Sequence, residues 1–327
     1  MSLQRRTATI ALLATACGLC TAPAMAQPSS YPSKPITIVV AYPPGSDTDS
    51  TARLLGEKLS QRLHQTIVVE NRAGAGGAIG NAYVSHAAGD GYTLLFTPNP
   101  FTTVQMVMHL APSSSYDVLN GFEPVVKVAT QPLMLVANPG LGVKTVPEMI
   151  TMAKSKPMSY GSPGAGSPMH VVAEWLNRDA GVKISHVPYR GVAPEVTDVV
   201  AGHVDTAWVT AGVVAQYIST GKLLPLAIAD AKRSSIAPNV PTLAEYGYND
   251  VVGSWYGFFA PKGTPKEVVT LLNTHFNEIL KQPDVVERLF AFGALPSGGA
   301  PNALRQANAD DYEKMGKLIK DLGITAD

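Results

Sequence analysis

The sequence predicts an α/β protein made of two doubly wound units, and three observations lead to that prediction. Apolar strand-like runs alternate with amphipathic helical stretches over residues 34–97, and the alternation begins again near residue 132. The 327-residue chain is longer than one hydrophobic core usually serves. Two glycine-rich turns, at residues 42–49 and 160–167, each follow a strand pattern and precede a helix pattern. We therefore expect two similar units, each with a turn at the end of a strand.

The first unit begins with a continuous apolar run at residues 34–41, which is typical of a strand buried on both faces. The following stretch has helical periodicity, since Ala52, Leu55 and Leu59 recur on one face. The elements predicted for this unit are strands at 34–41, 66–70 and 92–97 and helices at 50–64 and 77–87.

The second unit repeats this alternation and is followed by a helical C-terminal region. Its predicted strands are 133–137, 158–161, 183–187, 205–209 and 223–229, and its predicted helices are 146–154, 167–178, 194–201 and 212–219. The chain then continues with a strand at 255–260 and helices at 265–280, 285–292 and 302–322. These last elements most economically pack back on the first unit.

This arrangement predicts one domain from residues 27–128 and 252–327 and a second from residues 129–251. The chain would cross between them near 126–131 and again near 249–254. Two crossings make a hinge, with a cleft between the domains.

The N-terminus predicts export. A positive start, an apolar stretch at residues 9–19 and Ala24-Met-Ala26 are typical of a signal peptide, residues 1–26, cleaved after Ala26. Both cysteines, Cys17 and Cys20, lie inside it, so the mature chain would have neither disulfides nor thiolate metal ligands. We expect a periplasmic protein and a monomer.

Charge and hydropathy exclude two kinds of partner. The chain has 25 basic and 25 acidic residues, and removal of the signal would leave a formal charge of about −2. This balance does not attract nucleic acid. After the signal, no apolar run approaches the roughly 20 residues of a membrane span, so we expect no direct membrane insertion.

The first turn is a candidate anion half-site. It contains Tyr42, Pro44, Gly45, Ser46 and Asp49, directly after the first strand and before the first helix. A helix N-terminus after such a turn presents free backbone N–H groups and a partial positive charge. An ordinary capped turn is the alternative, and the acids fit capping better than ligand contact.

The second turn is the matching half-site. Ser162, Gly164, Ala165, Gly166 and Ser167 supply hydroxyl and N–H donors. His170, in the first turn of the next helix, is close enough along the chain to reach a ligand there. A flexible loop is the alternative. Two half-sites on separate units predict one anion held from both sides.

Residues at two further strand ends complete the candidate ligand-binding set. Tyr189, Arg190 and Gly191 precede a helix, and Arg190 either pairs with a carboxylate or is a solvated surface residue. Trp208 and Thr210 end the next strand, where Trp208 fits a core role better than ligand contact.

Several catalytic and cofactor sites are not supported by the sequence. Gly74-Ala-Gly-Gly-Ala-Ile-Gly80 has Ile79 where a dinucleotide fingerprint needs its third glycine. His170 and Glu174 have a metal-ligand spacing but no third ligand. The surroundings of Ser162 lack the G-x-S-x-G elbow. We expect no catalytic residues, metal or cofactor; a secreted hydrolase using Ser162 or Ser167 with His170 as base is the rival hypothesis.

A series of short motifs spans the mature chain in order: Tyr31-Pro-Ser-Lys-Pro35, Pro43-Pro-Gly45, Val69-Glu-Asn-Arg72, Asp90-Gly-Tyr-Thr-Leu94, Tyr160-Gly-Ser162, His186-Val-Pro-Tyr189, Val240-Pro-Thr-Leu243 and Trp255-Tyr-Gly257. In these motifs the chain resembles the Bug/TctC-type periplasmic solute-binding receptors of tripartite tricarboxylate transporters.

The resemblance implies a type II-like, two-domain periplasmic binding protein that closes like a Venus flytrap. It also implies that the two turns grip a carboxylate with the help of ordered waters, and that the ligand passes to membrane transporter subunits. Family members are not enzymes, and the resemblance also allows a role in sensing with a two-component system instead of transport. Aliphatic dicarboxylates, aromatic carboxylates and amino acids all remain open as ligands.

Two residues depart from the family pattern. Ser46 replaces a second glycine after the prolines, and Tyr42 stands where Phe is common. Each is expected to add a hydroxyl to the pocket.

Overall fold

The computed structural model describes residues 31–249 and 253–325. The predicted signal peptide lies outside the described residues, as does part of the second predicted crossing. No helix in the described part of the chain is both long enough and apolar enough to cross a bilayer.

The predicted alternation of strands and helices is confirmed, with small changes of boundary. The strands are β1 Ile36–Val40, β2 Ile67–Asn71, β3 Thr93–Pro98, β4 Phe122–Gln131, β5 Leu133–Ala137, β6 Met158–Ser162, β7 Ile184–Pro188, β8 Thr206–Thr210, β9 Leu224–Ile228, β10 Ser254–Pro261 and β11 Leu295–Pro296. The helices are α1 Asp47–Leu63, α2 Ala78–Ser85, α3 Pro100–Val107, α4 Val146–Ala153, α5 Pro168–Ala180, α6 Val192–Ala201, α7 Ala211–Ser219, α8 Lys266–Ile279, α9 Pro283–Ala291 and α10 Pro301–Leu322.

The first sheet has six strands in the order β11-β4-β10-β3-β1-β2. Strand β1 pairs in parallel with β2 and β3, as βαβ units require, whereas β10 runs antiparallel between β3 and β4. All eight residues of β10 are buried, because helices cover both faces of this strand's sheet. The C-terminal region therefore returns to the first sheet, as the sequence predicted.

The second sheet has five strands in the order β7-β6-β8-β5-β9. Strands β7, β6 and β8 are parallel, and β5 is antiparallel to both β8 and β9. The reversal follows from the crossing, since Pro132 alone separates β4 from β5. Strand β5 enters from the first sheet and therefore starts at the edge where the parallel strands of the second sheet end. Its first residue, Leu133, accordingly pairs with Thr210, the last residue of β8. Both sheets are therefore mixed.

Three elements were missed by the sequence prediction. The first is helix α3, which is short. The second is β4, whose segment was predicted to contain the crossing between the domains. The third, β11, has two residues. The structure shows β4 as a ten-residue strand that carries the chain out of the first sheet. The proposed domain boundaries stay a prediction, although the sheets divide the strands in the same way.

The two units pack against each other through helices and glycines. The C-terminal half of α10 contributes Met315, Leu318 and Ile319 to the core that contains Trp175 of the second unit. Near the crossing, Gly212 meets residues 292–293 so closely that a Cβ on Gly212 would lie 2.2 Å from the Gly293 nitrogen. Only glycine permits this backbone approach.

Asp311 connects α10 to the first sheet through hydrogen bonds, and its substitution tests this part of the fold. Its carboxylate accepts hydrogen bonds from Trp255 Nε1 at 2.6 Å and from Asn99 Nδ2 at 3.1 Å. Asp311→Ala would leave Trp255 Nε1 without an acceptor, whereas Asn99 Nδ2 would keep its hydrogen bond to the Gly253 carbonyl, so we expect a loss of about 2 kcal/mol in the free energy of unfolding. Urea denaturation would measure it. The neighbouring Asp310→Ala, at an exposed position, should change stability by less than about 0.5 kcal/mol; equal losses would contradict this role.

Candidate functional site

The candidate site lies where the second turn of one unit meets helix α3 of the other. Gly166 occupies this contact, because a Cβ added to it would lie 2.3 Å from Val107 Cγ2. The Gly166 carbonyl accepts a long hydrogen bond of 3.4 Å from Thr103 Oγ1. Helix α3 follows β3, so both partners lie at the carboxyl ends of parallel strands. Ligands bind at this edge in open α/β sheets.

The first turn is held by Asp49, which is 3% exposed. Its carboxylate accepts hydrogen bonds from the Gly45 amide at 2.9 Å, from Arg53 Nε at 3.0 Å and from Asn71 Nδ2 at 2.8 Å. Burial alone would raise the pKa of Asp49, but these hydrogen bonds outweigh it and hold the pKa below its usual value. Asp49 therefore fixes the turn, in line with the capping role expected of the acids.

The hydroxyls of Tyr42 and Ser46 are used inside the protein. Tyr42 donates to the Gly76 carbonyl at 3.2 Å. Ser46 caps α1, with its hydroxyl donating to the Pro43 carbonyl at 2.8 Å and accepting from the Asp49 amide at 3.2 Å. The expectation that each departure adds a pocket hydroxyl is therefore corrected: both stabilise the first turn.

The second turn is built in the same way. Gly164 and Gly166 have positive φ values of 144° and 72°. Ser167 caps α5 by accepting from the His170 amide, and it donates to the Gly164 carbonyl at 2.7 Å. His170 Nδ1 accepts from the Gly166 amide at 3.0 Å, which makes His170 a support for the turn.

Most amides in the two turns therefore already have partners, which corrects the expectation of free N–H groups. The amides of Gly45, Gly164, Gly166 and Ser167 all donate within the protein. In the described part of the chain, the Ala165 amide donates to no acceptor. Buried amides without partners are costly, so a turn that keeps its shape in the empty protein satisfies most of its own.

Two stacked histidines lie beneath the second turn. The rings of His170 and His186 are 3.9 Å apart at 12°, and Tyr160 stacks on His186. Burial lowers the pKa of His170 to about 3, with the neighbouring His186 adding to the shift, and burial lowers the pKa of His186 to about 4. Both rings are therefore neutral near pH 7.

The environment of Ser162 does not favour a nucleophile. Its side chain is fully buried, and its Oγ lies 2.6 Å from Nε2 of His186 rather than near His170. Within the described residues no carboxylate bonds to His186, and no group of three or more His, Cys, Asp or Glu could hold a metal. His170 and Glu174 do not converge on one site, because Glu174 accepts from the Tyr160 hydroxyl at 2.5 Å.

The remaining predicted residues divide between surface and core. Arg190 is exposed and has no ion pair among the described residues. Tyr189 donates its hydroxyl to Asp198 at 2.7 Å, and Gly191 begins α6 without a side-chain cap. Trp208 is 1% exposed and packs in the core of the second unit. The core role that the sequence favoured for Trp208 is therefore confirmed.

Six of the described residues have a buried side-chain nitrogen or oxygen without a hydrogen-bond partner, and three of the six bear on the candidate site. These three contribute Thr210 Oγ1, Gln131 Nε2 and the two carboxylate oxygens of Glu195. Thr210 was predicted as a site residue, whereas Gln131 and Glu195 were missed. The sequence could have identified Glu195, since it is an acid in the first turn of a helix after a glycine. It could not have identified Gln131, because β4 was not predicted.

A family model described as the tripartite tricarboxylate transporter family receptor, TctC, matches residues 51–324. The chain belongs to this receptor family. Protein BugT of Bordetella pertussis (strain Tohama I) is 36% identical over 326 residues, which cover 99% of each chain. Members of the family are periplasmic receptors and not enzymes, so the TctC-type receptor described here is a solute-binding protein.

Two solved structures show the same fold. The periplasmic binding protein BugD has a TM-score of 0.78 at 32% identity, covering 90% of this receptor and 99% of BugD. The R. palustris protein Rpa4515, solved with adipate, has a TM-score of 0.81 at 31% identity, with coverage of 90% and 99%. The receptor therefore has the two-domain architecture of periplasmic binding proteins, and a carboxylate is bound by a protein similar to it.

The buried histidines predict how stability depends on pH. In the unfolded chain both histidines have a pKa of about 6.5. Below that pH the unfolded state therefore binds protons, whereas the buried histidines of the folded state stay unprotonated. We expect full stability above pH ~6.5 and a progressive loss toward the folded values of about 4 and 3.

Urea denaturation between pH 7.5 and 4.5 would measure this slope, to which each histidine contributes at most about 1.4 kcal/mol per pH unit. His186→Gln should flatten the slope, and the exposed His109→Gln should not. An unchanged slope in His186→Gln would show that the pair is not responsible.

Proposed function

We propose that this receptor captures a small carboxylate between its two α/β units and delivers it to the membrane subunits of a tripartite transporter. The observation that carries the proposal is the contact of the second turn with α3 across the cleft, beside Gly166 and Val107. A ligand at the start of α5 would touch both units at once. The domains would then be residues 27–128 with 252–327, and residues 129–251, closing about the crossing at Pro132.

Donors without partners support binding of an anion without a buried cation. The Ala165 amide and the uncapped start of α6 supply backbone N–H groups. Gln131 Nε2 and Thr210 Oγ1 lie at the crossing, where the Ala211 amide bonds to the Pro132 carbonyl. These atoms form the base of the proposed cleft.

The strength of such binding can be approximated. A hydrogen bond to a charged group contributes roughly 1.5–3 kcal/mol. Four or five of them, less the costs of ordering and closure, come near the −8 kcal/mol or so of micromolar affinity. The exposed Arg190 would add a charged contact at the rim.

The ligand class is a small carboxylate: a dicarboxylate, an aromatic carboxylate or an amino acid. Adipate bound to the similar R. palustris protein supports this class. A thermal-shift screen with acetate, benzoate, succinate, adipate, aspartate and citrate tests it, because a ligand at 100 times its Kd stabilises a protein by about 2.7 kcal/mol. No shift with any of them would contradict the proposal. Loss of radiolabelled uptake on deletion of the receptor would test delivery.

Alanine substitutions at glycines inside and outside the two turns distinguish a loss of ligand binding from the strain that alanine causes at any positive φ. Gly45 has a φ of 81° and Gly164 a φ of 144°, and no atom lies within 3.4 Å of a Cβ added to either. Gly142 and Gly181 also have positive φ and open space, but they lie at helix ends outside the turns. Alanine at any of the four should cost about 1–2 kcal/mol of stability.

Only Gly45→Ala and Gly164→Ala should weaken binding of the carboxylate with the largest thermal shift, by about tenfold or more, which corresponds to one lost hydrogen bond. Isothermal titration calorimetry would measure it, with Gly142→Ala and Gly181→Ala as matched controls. Affinities equal to those of the controls would remove the turns from the binding site.

A further inference from the structure

Glu195 is a buried acid that the proposed function has not yet used. It lies in the first turn of α6 with 0% of its surface exposed. Neither carboxylate oxygen has a hydrogen-bond partner among the described residues. Burial of a carboxyl without a hydrogen-bond partner is destabilising. Buried polar groups in native proteins are almost always hydrogen-bonded, so this carboxyl points to a bound water or a ligand group as its partner.

The position of Glu195 connects it with the second turn. A Cβ added to Gly161 would lie 2.8 Å from Glu195 Cγ and 3.4 Å from its Oε1. Gly161 directly precedes Ser162, the first residue of the second turn. The Glu195 carboxyl therefore lies behind this turn, at the carboxyl edge of β6, in space that only a glycine leaves open.

Tyr189 lies close to both Gly161 and Gly164 of the second turn. Its ring atom Cε2 is 3.4 Å from the Cβ position of Gly161, and its carbonyl oxygen is 3.8 Å from that of Gly164. The Tyr189 hydroxyl is occupied by Asp198 and is not a partner for Glu195. Helix α6 starts here at Gly191 without a side-chain cap, so the amides of its first turn are also unoccupied by a side chain.

The groups around Glu195 do not neutralise it. Tyr189 interacts electrostatically with Glu195, and no Lys, Arg or His pairs with Glu195 among the described residues. Burial raises the pKa of Glu195 well above its usual value. Burial without a counter-charge therefore favours the protonated form of Glu195, and a neutral carboxyl offers one O–H donor and one carbonyl acceptor.

We propose that Glu195 forms a subsite for a hydrogen-bond-donating substituent, a hydroxyl or an ammonium, next to the ligand's carboxylate. This inference rests on the proposed function, because it places a second contact beside the carboxylate held by the second turn. The carbonyl oxygen of Glu195 would accept from the substituent. Glu195 would thus act as a specificity-determining residue, and hydroxy or amino carboxylates would be preferred over their unsubstituted analogues.

Matched ligands test the subsite. Succinate, malate and aspartate share one skeleton, as do phenylacetate, mandelate and phenylglycine. We expect the wild-type receptor to prefer a substituted member over its parent by about fivefold or more, the preference that one hydrogen bond to a neutral carboxyl would give. Calorimetry on wild type, Glu195→Gln and Glu195→Ala would measure the preference.

The preference should fall in Glu195→Gln and approach one in Glu195→Ala, while affinity for the unsubstituted parent stays within about threefold. The exposed Glu287→Gln is the control and should change neither value. Glu195→Gln keeps the side-chain volume, so it separates a change of selectivity from a loss of folding.

A wild-type receptor that binds the parent and the substituted ligands equally, or a preference that survives in Glu195→Ala, would overturn the inference while leaving carboxylate binding intact. Failure of these six carboxylates and of every carboxylate in the thermal-shift screen to bind the wild-type receptor would instead contradict the proposed function, and this inference with it.

Discussion

The site depends on buried side chains that accept the amide hydrogens of two glycine turns. Asp49 accepts from Gly45, and His170 accepts from Gly166. Each acceptor belongs to the first turn of the helix that its glycine turn opens, so the helix start and the turn fix each other. A turn held in this way needs no ligand to keep its shape, and a pre-organised turn loses less entropy when it binds. The neutral state of His170 is part of this arrangement, because a protonated Nδ1 could not accept the amide hydrogen.

Strand direction brings the two turns to one edge. The chain passes from β4 to β5 through Pro132 alone, which makes β5 antiparallel to β8 and sets the start of β5 beside the ends of the βαβ strands. The crossing is therefore next to the carboxyl edge of the second sheet. Glycines allow the units to approach there, with Gly166 against Val107 and Gly212 against Gly293. A side chain at either glycine would push the units apart.

Much of the fold could be predicted because it follows from local patterns. Apolar runs such as residues 36–40 and the helical spacing of Ala52, Leu55 and Leu59 depend on neighbours along the chain. Strand β4 could not be recognised in the same way, since its identity comes from pairing with β10, more than a hundred residues later. The mixed direction of the sheets has the same origin.

The candidate site was predicted less completely, for a related reason. Sequence identifies which groups are polar but not which are already satisfied. The hydroxyls of Tyr42 and Ser46 looked available and are used inside the first turn. Gln131 and Glu195 looked unremarkable and have buried atoms without partners. Only the three-dimensional hydrogen-bond network distinguishes these two cases.

The most direct test of the central claim is a crystal structure of the receptor with the carboxylate that gives the largest thermal shift. We expect one carboxylate group enclosed between the units, hydrogen-bonded directly or through water to the first turn and to residues 162–167, with no lysine in contact. A carboxylate bound to one unit alone, or outside the cleft, would contradict it.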